Sequence, residues 1–415
     1  MEPASSTEAA KQVLLMCGIV LATGAVAALL AKKLRVPDIA VFLLAGMAFG
    51  PGGSALIQLR ADSALNQIIL IFGSCYLLFD GGASIRLKIL REVWITLAAL
   101  ATVGVLITAG ITALAAHALL GLPWITAGLL GAVIASTDPA TLVPIFRQIS
   151  IRDRVAQTVM SESAFNDATG AILTFALLGV ALGKGEFSLA RALGEFVQQA
   201  GFGLLVGAAL GYIAAALIGH ERYAFLTDYA PLVTLMAVIG AFLSADGLDA
   251  SGFMAVFVFG IMLGNKDAFG FELGAEESRR LDEFIGMTTL LMRMFIFILL
   301  GAQVNFAAIG THLVGGVLVV TIFMLVARPL TVFACAWPDR RACWGMKEML
   351  FMCWTRETGV IPAALAGLLL GMKVPGAQMI AAVTFIAILM TILIQATTTR
   401  WLAAHLDLLV ETDTG

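Results

Sequence analysis

Residues 134–174 read IASTDPATLVPIFRQISIRDRVAQTVMSESAFNDATGAILT, and this stretch decides the fold. Its surroundings are apolar, yet Asp138, Glu162 and Asp167 fall where a bilayer interior would be. An acid at that depth is costly and faces a pathway or a partner. Pro139 directly follows Asp138 and has no N–H, so the carbonyl of Ala135 loses its helical donor. Proline also pushes the residue before it out of the α region. Irregular backbone at membrane depth is tolerated only where it is buried or lines a watery cavity. A broken helix with acids beside it predicts an ion site. A plain proline kink accounts for the break but not for the charge.

Working outward, the 415 residues are 60% hydrophobic and 13% charged, with a mean hydropathy of +0.97. Soluble domains average about 25% charged residues, so the chain reads as an all-α polytopic membrane protein. The net charge of −3 and the lack of a Lys/Arg cluster give no footing for nucleic acid. Cys17, Cys75, Cys335, Cys343 and Cys353 form no CxxC pair and read as small hydrophobes. His117, His220, His312 and His405 are scattered, which argues against a histidine metal site. The N-terminus has no basic region and no cleavage site, so its first apolar run reads as a retained helix.

At roughly 20 apolar residues per crossing, about thirteen spans are expected. They fall near 12–31, 38–50, 64–83, 92–119, 123–146, 154–182, 190–218, 230–246, 250–264, 284–302, 310–336, 346–370 and 376–404, the second and ninth being short. Alternating the loops between two sides puts seventeen Lys and Arg on one side and five on the other. The richer side is cytoplasmic by the positive-inside rule, which puts the N-terminus outside and the C-terminus inside. Span five breaks at Thr137-Asp138-Pro139, and span twelve carries Thr355-Arg356-Glu357-Thr358-Gly359 followed by Pro362. The breaks occupy the fifth position of two six-span units, 12–182 and 230–404, with 190–218 as a linker. Seven spans apart, the units are inverted, and paired interruptions of this kind point to a transporter site near the midplane. Residues 1–415 thus read as one transmembrane transporter domain. About ten polar-leaning residues follow the last span, which leaves no cytoplasmic regulatory domain in the expectation.

In span six, Glu162 stacks with Asn166 and Ser163 with Asp167 at i, i+4, so all four cover one arc. Glu162 is placed to accept from the Asn166 amide, which leaves Asp167 free to exchange a proton or a small cation. Burial favours the protonated form of a carboxyl, so proton and cation compete for the same oxygens. The competing reading is a polar helix–helix contact without a ligand.

The TDP of span five followed by the ESxxND of span six resembles the NhaP/NHE-type sodium–proton exchangers, the electroneutral branch of the monovalent cation–proton antiporters. Leu78-Phe79-Asp80-Gly81-Gly82, Phe297-Ile298-Leu299-Leu300-Gly301, Ala327-Arg328 and Thr355-Arg356-Glu357 resemble further family segments in the same order. The resemblance implies an NhaA-like fold of two inverted repeats and a homodimer in a bacterial plasma membrane. It implies Asp167 as the ion- and proton-binding carboxylate. Ser163, the Thr137 carbonyl and Asp138 complete a Na⁺ site, with Asp80 nearby. Glu162 pairs with Arg328 and holds Asn166, and Asn166 in place of a second acid implies 1:1 exchange. Transported Na⁺ or Li⁺ and H⁺ are the substrates, with no cofactor and a role in pH homeostasis.

Glu357 departs from the family's glycine and reads either as a partner for Arg356 or as a change to the access path. Arg293 reads as snorkelling to the cytoplasmic side, with a pair to Asp80 as the alternative. K⁺/H⁺ exchange on the same site is the nearest alternative function. A channel lacks its filter-like loop, and no HExxH or intramembrane Ser–His set supports an enzyme.

Overall fold

Helices form over the apolar runs and end where Gly, Pro and polar residues punctuate them. The computed structural model describes residues 6–34, 36–59, 63–137, 141–142, 145–146, 149, 151–183, 189–219 and 226–410. In chain order they form α1 (Ser6–Leu34), α2 (Asp38–Phe49), α3 (Ala64–Ala83), α4 (Leu87–Leu120) and α5 (Trp124–Ala135). Next come α6 (Asp153–Ala181), α7 (Leu189–Gly219), α8 (Ala230–Asp246), α9 (Gly252–Gly264) and α10 (Ala275–Ala302). The chain closes with α11 (Phe306–Ala336), α12 (Met346–Trp354), α13 (Val360–Gly371) and α14 (Ala377–His405). Among the described residues, nine helices are long and apolar enough to cross a bilayer, with shorter apolar helices at α2, α5, α9 and α13.

Local sequence explains several boundaries. Ser63, Ser251 and Asn305 cap α3, α9 and α11 by accepting the backbone N–H three residues on, at 3.2, 3.3 and 3.0 Å. Gly121 ends α4 in the left-handed region, φ 64°, which costs a residue without Cβ little. Three of the described helices contain a wide turn in mid-span, α4, α11 and, over Thr391–Ala396, α14. In α11 a π turn over Phe323–Ala327 precedes Pro329, which has no N–H to offer Leu325. In α4 a π turn over Leu100–Gly104 loosens the ladder, and the carbonyl of Ala101 accepts the Thr169 hydroxyl of α6 at 2.6 Å. The wide turns of α4 and α11 lie where those two helices cross, and Thr108 and Thr331 hydrogen-bond there at 2.9 Å.

Lipid tails are as apolar as leucine, so close backbone approach rather than hydrophobic burial holds such helices together. Gly301 of α10 lies against the Leu43 carbonyl of α2, and Gly260 of α9 against the Phe79 carbonyl of α3. A Cβ at either position would overlap backbone. One buried core joins α1, α2 and α10 through Val20, Phe42, Leu43, Phe297 and Ile298. Another joins α3 to α7, α8 and α9 through Phe79, Ala215, Val238 and Phe257. A third surrounds α5 with α11, α13 and α14 through Leu130, Ile134, Phe323, Leu369 and Val383. The polar centre described below lies where α5, α6, α11 and the segment before α13 meet.

At one end of the bundle a charged knot fixes the helix ends. Arg154 of α6 grips Glu348 of α12 with its Nε at 2.9 Å and Nη2 at 2.5 Å, and stacks 4.6 Å over the Trp344 ring. Asp339, in the turn after α11, accepts the Thr96 hydroxyl at 2.6 Å and the N–H groups of Arg341 and Ala342 at 3.0 and 3.1 Å. Burial pushes the Asp339 carboxyl up. The Thr96 hydroxyl and the surrounding backbone donors outweigh it and hold the group below the usual carboxylate range. A depressed carboxyl stabilises the fold above its ordinary value near pH 3.9 and loses that contribution as pH falls through its lowered one. Asp339→Ala should therefore lower Tm at pH 7, at a cost of about 1–3 kcal/mol for buried donors left unmade. The gap to wild type should close in melts run progressively below about pH 4. A gap that widens there would show that Asp339 acts differently.

Candidate ion-binding site

The first break is built by three consecutive conformational choices. Helix α5 ends at Ala135, Ser136 turns extended with φ −70° and ψ 141°, and Thr137 follows as buried irregular backbone. Gly170 of α6 lets that end come close, for a Cβ there would sit 3.0 Å from the Ser136 Cβ. Ser136 donates its hydroxyl to Oδ1 of Asp167 in a short contact. The Thr137 N–H donates to Oδ1 of Asn166 at 3.0 Å. The Asn166 amide donates back to the Thr137 hydroxyl at 2.8 Å, and that hydroxyl donates to Ser163 at 2.8 Å. One side of α6 is thus zipped to the broken end of α5, while Ala164 and Phe165 face α9, Phe165 meeting Phe257 edge-on at 5.7 Å. Thr137, Ser163, Asn166 and Asp167 are between 0 and 3% exposed. Asp138 lies outside the described residues. Asp80 sits on α3, 1% exposed.

Glu162 and Arg328 form a bidentate ion pair at 2.5 and 2.9 Å, with the Arg328 Nε donating to the Met352 carbonyl at 2.9 Å. One guanidinium therefore ties α6, α11 and α12 together. Glu162 does not hold Asn166. Both of its oxygens are taken by Arg328, and the Asn166 amide turns to Thr137 instead. Two parallel charge-assisted bonds outcompete a single neutral amide for the same carboxylate.

The second break runs through Thr355–Gly359 between α12 and α13, with Thr355, Arg356, Glu357 and Thr358 all buried. The Thr358 N–H donates to the Thr391 hydroxyl of α14 at 3.1 Å. Arg356 forms no ion pair with Glu357. Its Nη2 donates to the carbonyl of Ala135 in a short contact, its Nη1 donates to Thr108 at 3.2 Å, and the guanidinium lies 5.2 Å over the Phe323 ring. The carbonyl orphaned at the first break is thus satisfied from the second. A charged donor suits the negative C-terminal end of α5 better than a carboxylate neighbour suits the arginine. Arg356→Ala should cost about 1.5–3 kcal/mol, the range for hydrogen bonds to charged groups. Arg356→Lys should recover part of it, read as Tm in detergent. An unchanged Tm in both would remove the bridge from the account.

Arg293 lies on α10 and reaches the charged end of α2. It pairs with Asp38 at the start of α2, 3.2 Å apart, both side chains about one-seventh exposed. Asp38 stands at the boundary of a span, and nothing in the local sequence points from α10 to it. Ser136 was not singled out either, although it directly precedes the TDP run and occupies the last position before the break. Cys343 is exposed, unlike the buried Cys75, Cys335 and Cys353.

A long-helix membrane bundle with two buried breaks and carboxylates beside them defines an ion-coupled secondary transporter, not an enzyme. The chain belongs to the family described as the transmembrane sodium/hydrogen exchangers, which matches residues 19–405. The Na(+)/H(+) antiporter 1 of Methanocaldococcus jannaschii is 33% identical over 359 residues, covering 84% of this chain and 81% of the relative. The K(+)/H(+) antiporter NhaP of Alkalimonas amylolytica is 29% identical over 423 residues, covering 98% of this chain and 69% of the relative. The solved structure of the sodium proton antiporter MjNhaP1 from Methanocaldococcus jannaschii at pH 8 superposes with a TM-score of 0.75 at 30% identity, covering 95% of this chain and 99% of that one. The protein is a cation–proton antiporter with the NhaP fold.

Proposed function

We propose that this antiporter exchanges Na⁺, and Li⁺, for H⁺ one for one, with Asp167 as the carboxylate that alternates its load. The observation that carries this is the setting of Asp167. It is buried, it accepts the Ser136 hydroxyl at the end of a broken helix, and it lies beside a glutamate already neutralised by arginine. Glu162 keeps its charge matched by Arg328 throughout, and Asn166 has no proton to give. One carboxylate then trades one proton for one cation, and no net charge moves. Ser163, the Thr137 carbonyl and Asp138 supply further hard oxygen donors, as suits an alkali cation, with Asp80 behind them. Glu357 shapes the second break.

Thirteen spans in two inverted units, 12–182 and 230–404 with 190–218 between, belong to the same proposal. Support comes from matched features in corresponding positions. The glycine-mediated contacts pair α2 with α10 and α9 with α3, each the second helix of one unit on the third of the other. Of the three π turns, two fall in the fourth helix of each unit, and the third lies in α14. The charge asymmetry supports an N-terminus outside and a C-terminus inside, and the family resemblance a homodimer moving a core bundle against its scaffold. A cavity of about 780 Å³ on the basic face, lined by Arg152, Gln157 and Met160, ends one helical turn before Ser163 and supports an approach from that side.

A second reading keeps the site and changes the cargo to K⁺, favoured by the relatives named K(+)/H(+) antiporters. Purified protein in proteoliposomes with a lumenal pH dye separates the two under Na⁺, Li⁺ and K⁺ pulses, with and without an imposed potential. A Na⁺-driven pH change indifferent to the potential is the expected result. A response to K⁺ alone would reassign the cargo. A rate that follows the potential would end the 1:1 proposal.

A further inference from the structure

We infer a binding site for one anionic glycerophospholipid between α1, α2 and α14, with its headgroup on the basic face and an acyl chain along the bundle. Two cavities meet there. One, about 440 Å³, is polar at its mouth and holds Lys32 of α1 and Arg400 of α14. The other, about 730 Å³, is apolar and runs up the cleft between α1 and α2. Val36 and Thr397 line both, so the two adjoin. The apolar volume is within the roughly 300–1,000 Å³ of small-molecule sites.

The sequence explains the shape. The floor of the cleft is alanine, Ala27 and Ala40 being 4 and 3% exposed, while Val26, Leu30 and Leu44 stand 67, 45 and 45% exposed at its rims. Small side chains where two helices face each other leave a furrow, and branched ones beside it make walls. On α14, Arg400, Thr397 and Leu393 follow at three- and four-residue spacing and share one face. That face leads from a charge into the furrow. Basic residues flank helix ends in any such bundle. These two differ because they share one cavity that adjoins an apolar furrow.

The charge balance selects an anion. Asp38 is the acid lining the polar cavity, and its carboxylate is matched by Arg293 at 3.2 Å. Lys32 and Arg400 have no carboxylate partner among the described residues, so the cavity keeps a positive excess. On the face that the charge asymmetry places in the cytoplasm, such a pocket between helices fits a lipid phosphate. A lipid seated there would touch α14 on one wall and α1 and α2 on the other. Its occupancy would therefore bear on how those helices shift against each other.

The test compares phosphatidylglycerol with phosphatidylcholine on the whole purified protein. Native mass spectrometry should retain phosphatidylglycerol in preference to phosphatidylcholine, and phosphatidylglycerol alone should raise Tm. Replacing both cations, Lys32→Ala with Arg400→Ala, should weaken phosphatidylglycerol binding roughly thirtyfold, from about one headgroup contact per basic residue. Ala22→Trp, at an exposed position in the furrow, should block the lipid with both cations intact. Equal retention of the two lipids, or undiminished phosphatidylglycerol binding in the double variant, overturns the site. A change of oligomeric state in Ala22→Trp with lipid binding intact would assign the furrow to a second copy of the chain and overturn it as well.

Discussion

Asp167→Asn should abolish exchange while the protein still inserts and folds. Asparagine has nearly the same shape, and its carbonyl oxygen can still accept the Ser136 hydroxyl that Asp167 accepts now. The contact between the broken end of α5 and α6 is therefore kept. What is lost is the charge. At 4 Å and an effective dielectric near 20, a carboxylate attracts a monovalent cation by about 4 kcal/mol. Removing that attraction weakens cation binding on the order of a thousandfold, and the amide cannot carry the counter-proton either. The readout is the Na⁺-driven dye signal in proteoliposomes, expected at the level of protein-free vesicles, alongside a Tm close to wild type. Full exchange in the variant would take Asp167 out of the site. A collapsed Tm would assign the residue a structural role instead.

Breaking the Glu162–Arg328 pair on one side should be the most damaging change to stability. Both side chains are at most 3% exposed, and the pair is closed at 2.5 and 2.9 Å. Glu162→Ala leaves a buried guanidinium with the Met352 carbonyl as its remaining acceptor. Arg328→Ala leaves a buried carboxylate without its two hydrogen-bond donors. Each should cost about 3–5 kcal/mol, because the surviving buried charge has lost its counter-charge. The double variant Glu162→Ala with Arg328→Ala should lose less than the sum, since no charge is stranded. Thermal melts in detergent of the two single variants and the double give the cycle. Wild-type melting in both single variants would mean the pair does not hold the fold.

What was legible in the sequence was local. Asp138-Pro139 marks the end of α5, and a polar run ending in Gly359 ahead of Pro362 marks the segment between α12 and α13, so both were readable from a few letters. The arc of Glu162, Ser163, Asn166 and Asp167 followed from helical periodicity alone. The orphaned Ala135 carbonyl was readable too, but its partner was not. Arg356 lies 221 positions away, and its nearest acid in sequence, Glu357, was the obvious but wrong partner. The same limit applies to Arg293, whose partner Asp38 is brought near by the tight α2–α10 contact. Charge on a membrane helix announces that a partner exists. Which partner it is depends on which glycines let which helices touch.

A π turn holds one more residue than the α-helix around it needs. In α11 that surplus lies in Phe323–Ala327, immediately before Arg328. Each residue of a regular helix turns it by about 100°, so an extra residue in regular form would carry every following side chain that far off its azimuth. The wide turn absorbs the surplus and leaves Arg328 facing Glu162. The turn thus acts as a local slack that keeps the ion pair in register, and a variant with one residue fewer in Phe323–Ala327 should close into regular helix with the two charges still meeting.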